Sequence, residues 1–466
     1  MKNSYQDLIE QTFDFPQEGF EVKENELYYF NIPLMDIIEQ YGTPLKLSYL
    51  PKIGMQISRA KRMFNVAMAK VDYKGTYTYC YCTKSSHFSF VLEEVLRNDA
   101  HIETSSAYDI PLLKALYKDK KLTKEHYIIC NGYKRPMYLQ QITELLNDGF
   151  NAIPILDNKK EIEYYEKHVK KGPCNVGIRI ASEEEPSFQF YTSRLGIRYR
   201  DINSFYLEKI KNSKKFKLKM LHFFINTGIK DNAYYWSELL KCLNVYMELK
   251  KICPELDSLN IGGGLPIKNS LGFGYDYEYM IEEIIGQIKE FCTRNNIEEP
   301  NIFTEFGTFT VGESGINIYS IIDEKIQNDI EAWYMIDNSF ITTLPDSWAI
   351  NQRYILLAIN KWDKPFKRVN IGGLTCDSLD YYNSEAHVNQ VFLPQNDEKD
   401  KEQLYIAFFN TGAYQESLSG FGGLKHCLIP SPKHVVIDID ENGEFTTKLF
   451  AKEQSYKSML KILGYS

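Results

Sequence analysis

The sequence predicts a closed (β/α)8 barrel of the TIM type, an α/β fold, followed by a mostly β domain. Three observations predict it. From about residue 76 to 310, short β-rich runs alternate with longer segments of helical periodicity; these runs number eight; and after about residue 318 the rhythm changes to strands without regular helices. Alternation of strand and helix implies a parallel sheet covered by its crossover helices, and a count of eight favours closure. An open doubly wound sheet is the alternative, because alternation alone does not distinguish closure.

The first 40 residues contain ELYYFNI but stand outside this rhythm, so residues 1–40 are expected to pack on the β domain. The barrel is expected over 41–317 and the β domain over 318–466. The barrel strands read as TYTYCYC (76–82), HIET (101–104), YIIC (127–130), AIPIL (152–156), NVGIRIA (175–181), KLKMLHFF (217–224), SLNI (258–261) and NIFTE (301–305). Amphipathic spacing predicts helices over SFVLEEVLRN after the first strand, WSELLKCLNVYMELKKI after the sixth and YEYMIEEIIGQIKEFC after the seventh. In the β domain the strands are YILLAI, KRVNIGG, LYIAFFN and HVVIDID, separated by polar turns.

Composition narrows the function. The 466 residues include 54 basic and 62 acidic ones, a net charge of −8, and are 44% hydrophobic, which is ordinary globular composition and excludes disorder over most of the length. The acidic balance argues against a nucleic-acid footprint, and the runs Lys118–Lys121 and Lys211–Lys217 read as solvated faces. No apolar run approaches the ~20 residues needed to cross a bilayer, and the N-terminus lacks a signal peptide's apolar region, so no membrane partner and a cytoplasmic location are expected. Nine cysteines without a CxxC and eight histidines without an HExxH point to reduced thiols and to no metal site; nothing in the residue pattern speaks to magnesium.

In such a barrel the chemistry gathers at the C-terminal ends of the strands. Read in order, those positions give Lys84, then Glu103 and Asp109, Asn131, Arg179 on strand five, Phe224, Asn226 and Thr227 after strand six, Gly262, Gly263 and Gly264 after strand seven, and Glu305 with Gly307 after strand eight. A lysine ending an apolar strand can be desolvated enough to attack a carbonyl as a free amine; taken alone, it reads first as an ordinary strand-end lysine, snorkelling or paired. Three glycines after a strand let backbone amides cradle an anion, or make a tight turn and nothing more. Together the lysine, the glycine cradle and the carboxylate meet the needs of pyridoxal phosphate: an amine for the aldehyde, amides for the phosphate and an anion that keeps the pyridine nitrogen protonated.

The runs IICNGYKR (128–135), LNIGGGLP (259–266), LPDSWAINQ (344–352), LTCDS (374–378) and FFNTGAYQE (408–416) carry a resemblance from about residue 40 onward. The chain resembles the fold type III pyridoxal phosphate decarboxylases, the ornithine, diaminopimelate and biosynthetic arginine decarboxylase group, and within it most of all the arginine enzymes. The resemblance implies an alanine racemase-like barrel, pyridoxal 5'-phosphate as cofactor, and a homodimer or higher homo-oligomer with shared active sites. It implies that Lys84 holds the cofactor's aldehyde and Glu305 its pyridine nitrogen, with Asp109, Arg179 and Phe224 around the ring. It further implies that Thr227, Gly262, Gly263, Gly264, Gly307 and Tyr414 hold the phosphate. Cys376 and Asp377 match a pair that reaches the site from the other subunit, the thiol returning a proton to the product and the carboxylate meeting the substrate's distal basic group. Asp346 is a second candidate for that group, or else caps a turn after Pro345; Trp348 and Asp380 are weaker candidates.

The chain departs from the family pattern where a histidine usually stacks on the ring, since it reads Phe224-Ile225-Asn226-Thr227, and after Glu305, where Thr308 stands in place of an arginine. His222, on the same side of its strand as Phe224, is either a core histidine or a partial substitute. The activity implied is decarboxylation of a basic L-amino acid, L-arginine to agmatine and carbon dioxide, a step in polyamine biosynthesis. Ornithine, lysine, diaminopimelate or citrulline as substrate, a racemase on the same barrel, and a catalytically silent cofactor-binding relative are the alternatives.

Overall fold

The computed structural model describes residues 4–183, 191–385, 390–397 and 402–465. The chain divides into two compact units, one formed by Met1–Lys52, Ile267–Gly274 and Val311–Ser466, the other by Ile53–Pro266 and Tyr275–Thr310.

The second unit is a closed barrel. Its strands are Tyr77–Cys82, His101–Thr104, Ile128–Cys130, Ala152–Leu156, Cys174–Arg179, Phe216–His222, Ser258–Asn260 and Asn301–Phe306. All eight pairings are parallel, and the last strand closes on the first with Glu305 opposite Cys80. All eight runs expected from the sequence are therefore strands, and closure decides against the open sheet. The three expected helices form at Ser89–Arg97, Ala233–Ile252 and Tyr277–Asn295. The two long ones start where an Asn232 or Asp276 side chain accepts the amide of Tyr235 or Tyr279, satisfying donors that a helix start leaves bare. Leu239, Leu243, Tyr246 and Leu249 of the first of these, and Ile281, Ile284, Ile285 and Ile288 of the second, are buried at helical spacing.

Inside the barrel, Cys80, Ile129, Ile153, Ile155, Met220 and Phe303 form an apolar floor. Because strand side chains alternate with a period of two, the next inward position on these strands is two residues on. The floor residues Cys80, Ile129, Met220 and Phe303 are thus followed by Cys82, Asn131, His222 and Glu305, an inward ring at the C-terminal ends that is mostly polar.

The first unit is built on a nine-stranded sheet. Leu45–Tyr49 lies in its middle, antiparallel to Gly315–Ile326 and parallel to Lys433–Ile439. The expectation that the barrel domain starts at residue 41 is corrected here: Leu45–Tyr49 belongs to this sheet, and the barrel unit opens only at Ile53 and ends at Thr310. All five residues of that strand are buried, the signature of any strand covered on both faces, so its sequence does not reveal which sheet it joins. The N-terminal residues form a helix, Tyr5–Thr12, and a small sheet of Phe20–Lys23, Glu26–Tyr29 and Ile32–Pro33. Tyr5, Ile9, Phe20, Leu27 and Tyr29 share a core with Phe408, Phe409 and Trp362 of the sheet unit. Two buried ion pairs, Lys52 with Glu313 at 3.1 Å and Lys46 with Glu416, lie in the same unit. No helix among the described residues is long and apolar enough to cross a membrane.

Candidate active site

Glu305, on the eighth barrel strand, is the centre of the polar ring. It is 7% exposed, and both of its oxygens are engaged. The Asn131 amide donates to Oε1 at 2.8 Å and to Oε2 at 2.9 Å, and the Asn260 amide donates to Oε1 at 2.6 Å. His222 Nε2 lies 3.2 Å from Oε2. Burial pushes this carboxyl up, but the imidazole and the two amides outweigh it and hold the group down at about 2. His222 is therefore more than a core histidine: it faces the carboxylate.

Glu103, on the second strand opposite Cys82, is the contrasting case. It is 1% exposed, and among the described residues neither of its oxygens accepts a well-formed hydrogen bond. Burial pushes it up to about 7, the Lys84 ammonium opposing and Glu305 adding to the rise.

Lys84 sits in a single helical turn, Thr83–Ser85, just beyond the first strand. The desolvation expected of a strand-end lysine does not hold: Lys84 is exposed while Thr83 and Ser85 beside it are buried. Arg179 ends the fifth strand in register with His222, 8% exposed, its guanidinium 5.5 Å from the centre of the Phe224 ring. That stack fixes an aromatic face where the chain carries Phe224.

The glycine run forms a cradle. Gly262 and Gly264 have φ of +69° and +114°, conformations that side chains resist. A Cβ on Gly262 would press on the Phe224 ring, and one on Gly263 would collide with the Glu305 carbonyl oxygen. The Gly262 amide donates to Asn260 Oδ1 at 2.9 Å, so the residue that holds Glu305 also shapes the cradle. Thr227 stands on the adjoining turn, where the Ile229 amide donates to the Gly264 carbonyl at 3.0 Å. Gly307 approaches Ser85 too closely to admit a Cβ, joining the turn after strand eight to that of Lys84.

Asp109 begins the helix Asp109–Lys118 and is buried. Its carboxylate accepts the amides of Ser105 at 2.9 Å and Ser106 at 3.0 Å and lies 3.1 Å from His87 Nε2, so its immediate work is to shape the loop after strand two.

The remaining candidates lie in the sheet unit. Cys376 is exposed, with its Sγ 3.7 Å from Cys427 Sγ, and Asp377 Oδ2 is 3.8 Å from His426 Nε2. Asp380 anchors their loop from below, accepting the Phe340 amide at 2.8 Å and the Thr375 hydroxyl at 2.7 Å. Tyr414, at φ +67°, precedes Gln415, whose side-chain amide donates to Asp346 Oδ2 at 2.8 Å. Asp346 is thus tied to the Tyr414 turn. Trp348, on the same short helix Pro345–Ile350 as Asp346, is exposed. Sequence reading passed over Asn260, His426 and Cys427; only Asn260 had a legible signal, its place at a strand end immediately before the glycines.

Residues 55–312 match the family model of the pyridoxal-dependent decarboxylase, pyridoxal binding domain. The chain is 23% identical to a biosynthetic arginine decarboxylase of Prochlorococcus marinus (strain MIT 9215) over 92% of this chain and 83% of that one. It is 22% identical to one of Trichlorobacter lovleyi over 86% and 82%. Among solved structures, the biosynthetic arginine decarboxylase of Campylobacter jejuni superposes with a TM-score of 0.83 at 20% identity, covering 99% of this chain and 90% of that one. The diaminopimelate decarboxylase of M. jannaschii gives 0.77 at 16% identity, covering 95% and 97%.

Proposed function

Because the chain belongs to the pyridoxal-dependent decarboxylases, we propose that it converts L-arginine to agmatine and carbon dioxide. The observation that carries the chemistry is Glu305, kept as a buried anion by two amide donors and a neighbouring imidazole in the mouth of a barrel that also holds an amine and a glycine cradle. The residues fit pyridoxal phosphate: the glycine run packs too closely on neighbouring backbone to admit a Cβ, which leaves its main chain bare, and the buried carboxylate is charged, as a protonated ring nitrogen requires. When bound, the cofactor supplies a conjugated ring that accepts the electron pair released as carbon dioxide departs.

Lys84 would hold the aldehyde through its side-chain amine. Gly262, Gly263, Gly264, Gly307, Thr227 and Tyr414 hold the phosphate with amides and hydroxyls. Arg179 and Phe224 would lie beside the ring, and Asp109 keeps the neighbouring loop in shape. Cys376 returns a proton to the substrate's α carbon. Asp377 accepts hydrogen bonds from a guanidinium, bidentate and charge-assisted, with Asp346 as a second acceptor. Cys376 and Asp377 act on the site of a second subunit, so the working form is a homodimer or larger, with no nucleic-acid or membrane partner. Arginine as the substrate draws its support from the relatives and from the acidic character of Asp377. The step belongs to polyamine biosynthesis, and the enzyme works in the cytoplasm.

The test is to load the purified protein with pyridoxal phosphate and incubate it separately with arginine, ornithine, lysine, citrulline and diaminopimelate, reading amine products by mass spectrometry. Agmatine from arginine alone is expected; a different amine overturns the substrate, and no product from any of the five overturns the activity. A second reading, diaminopimelate as substrate, is favoured only by the fold likeness to the M. jannaschii enzyme, and the same screen decides it.

A further inference from the structure

Glu103 and Glu305 flank the strand Tyr77–Cys82 from either side, opposite Cys82 and Cys80, and both are more than nine-tenths buried. A buried carboxyl ordinarily keeps its proton, because burial costs the charged form its hydration. Glu103 follows that rule; Glu305 breaks it. The two share a barrel mouth and differ in their donors. Around Glu103 stand the Lys84 charge, the Cys82 thiol and the Asn131 amide, with no well-formed hydrogen bond among the described residues, whereas Glu305 has firm hydrogen bonds from Asn131 and Asn260 and the imidazole of His222 beside it. Asn131 and Asn260 are neutral. Of the three, His222 is the ionisable group, and its Nε2 stands 3.2 Å from Oε2 at 1% exposure.

We propose that His222 is a positioning residue for the reaction: with Asn131 and Asn260 it keeps Glu305 charged and turned to receive the cofactor's ring nitrogen. The inference rests on the reading that Glu305 meets that nitrogen. The imidazole acts on the ring's counter-ion from within the barrel, while Phe224, stacked with Arg179, supplies the ring's aromatic neighbour. The two functions are divided between two inward residues of the same strand end.

The test compares three variants of the full-length protein: His222→Leu, which removes the polar ring, His222→Gln, which keeps a polar N–H in its place, and Glu305→Gln. Their readouts are the dissociation constant for pyridoxal phosphate, the absorbance of the bound cofactor across pH 5 to 9, and kcat and KM separately. The groups that face His222 and Glu305 from the neighbouring strands are Lys84, Glu103, Cys80, Cys82 and Arg179, and all are left in place. His222→Leu is expected to weaken cofactor binding at least tenfold, to move the pH dependence of the absorbance, and to lower kcat more than it raises KM. His222→Gln is expected to recover most of each effect. In the Glu305→Gln background, His222→Leu is expected to do nothing further. A His222→Leu protein with wild-type affinity and an unchanged spectrum against pH overturns the proposal. If instead Glu305→Gln itself leaves affinity and spectrum untouched, the underlying reading of Glu305 fails as well. Should His222→Leu not fold, His222→Phe against His222→Gln decides by the same readouts.

Discussion

At the scale of single residues, the unequal treatment of Glu103 and Glu305 has a consequence for stability that needs no substrate to detect. Folded Glu103 holds its proton up to about 7, whereas an unfolded glutamate releases it near 4.5. Between those values the folded state binds more protons, so this group's contribution falls as pH rises from 4.5 through 7. We expect Glu103→Gln to flatten that loss in the cofactor-stripped protein, by about 3 kcal/mol at most, and Tm measured from pH 5 to 8 with and without the substitution checks it. Glu305 has the opposite sign. Its stabilisation is present above 4.5 and is lost as pH falls towards about 2, so Glu305→Gln is expected to blunt unfolding in acid rather than near neutrality. Neither behaviour could be read from the sequence, where the two are simply glutamates at strand ends; the difference is made by donors on other strands. Lys84 was legible as a strand-end lysine, but its exposure was not, because that depends on a turn one residue past the strand.

At the scale of elements, the glycine cradle makes the sharpest demand. Gly263→Ala would drive a methyl group into the carbonyl of Glu305, on the strand that carries the site's anion. We expect it to cost about 1–3 kcal/mol of stability and to weaken pyridoxal phosphate binding more than tenfold, read by thermal melt and by cofactor titration; an alanine variant with unaltered affinity would show that the run is a turn and nothing more. The barrel strands were legible because their β-rich runs recur between helices with clear 3.6-residue periodicity, and the polar ring above Cys80, Ile129, Met220 and Phe303 follows from counting two residues along each strand. The strand Leu45–Tyr49 and the first seven residues of Gly315–Ile326 were not, since burial on both faces removes the alternation that would have assigned them to a sheet. Asn260 escaped notice for a related reason: its role is to reach across to a neighbouring strand, and register is set by the closed barrel rather than by any one segment.

At the scale of the whole molecule, the sheet unit is held partly by charge buried within it. Lys52 is paired with Glu313, both sides almost inaccessible, and Glu313→Gln leaves that ammonium without its close partner. A loss of about 3–5 kcal/mol is expected, measured by chemical denaturation, with Lys52→Met together with Glu313→Gln recovering part of it. The proposed sharing of active sites has its own test at this scale. Mixing inactive Lys84→Ala and Cys376→Ala subunits should restore about a quarter of the activity, because half of randomly paired dimers carry one intact site; no recovery on mixing would place both residues in the same subunit's site. The strand Leu45–Tyr49, finally, leads a delayed life during synthesis. Its two partners lie on the far side of the barrel in the chain, the second of them ending at Ile439. At translation rates of 5–20 residues per second the wait is roughly 20 to 80 seconds. Through that interval the barrel segment can already complete its own closure on the ribosome, while the strand ahead of it gains Gly315–Ile326 on one edge and keeps the other edge open until the last stretch of the chain emerges.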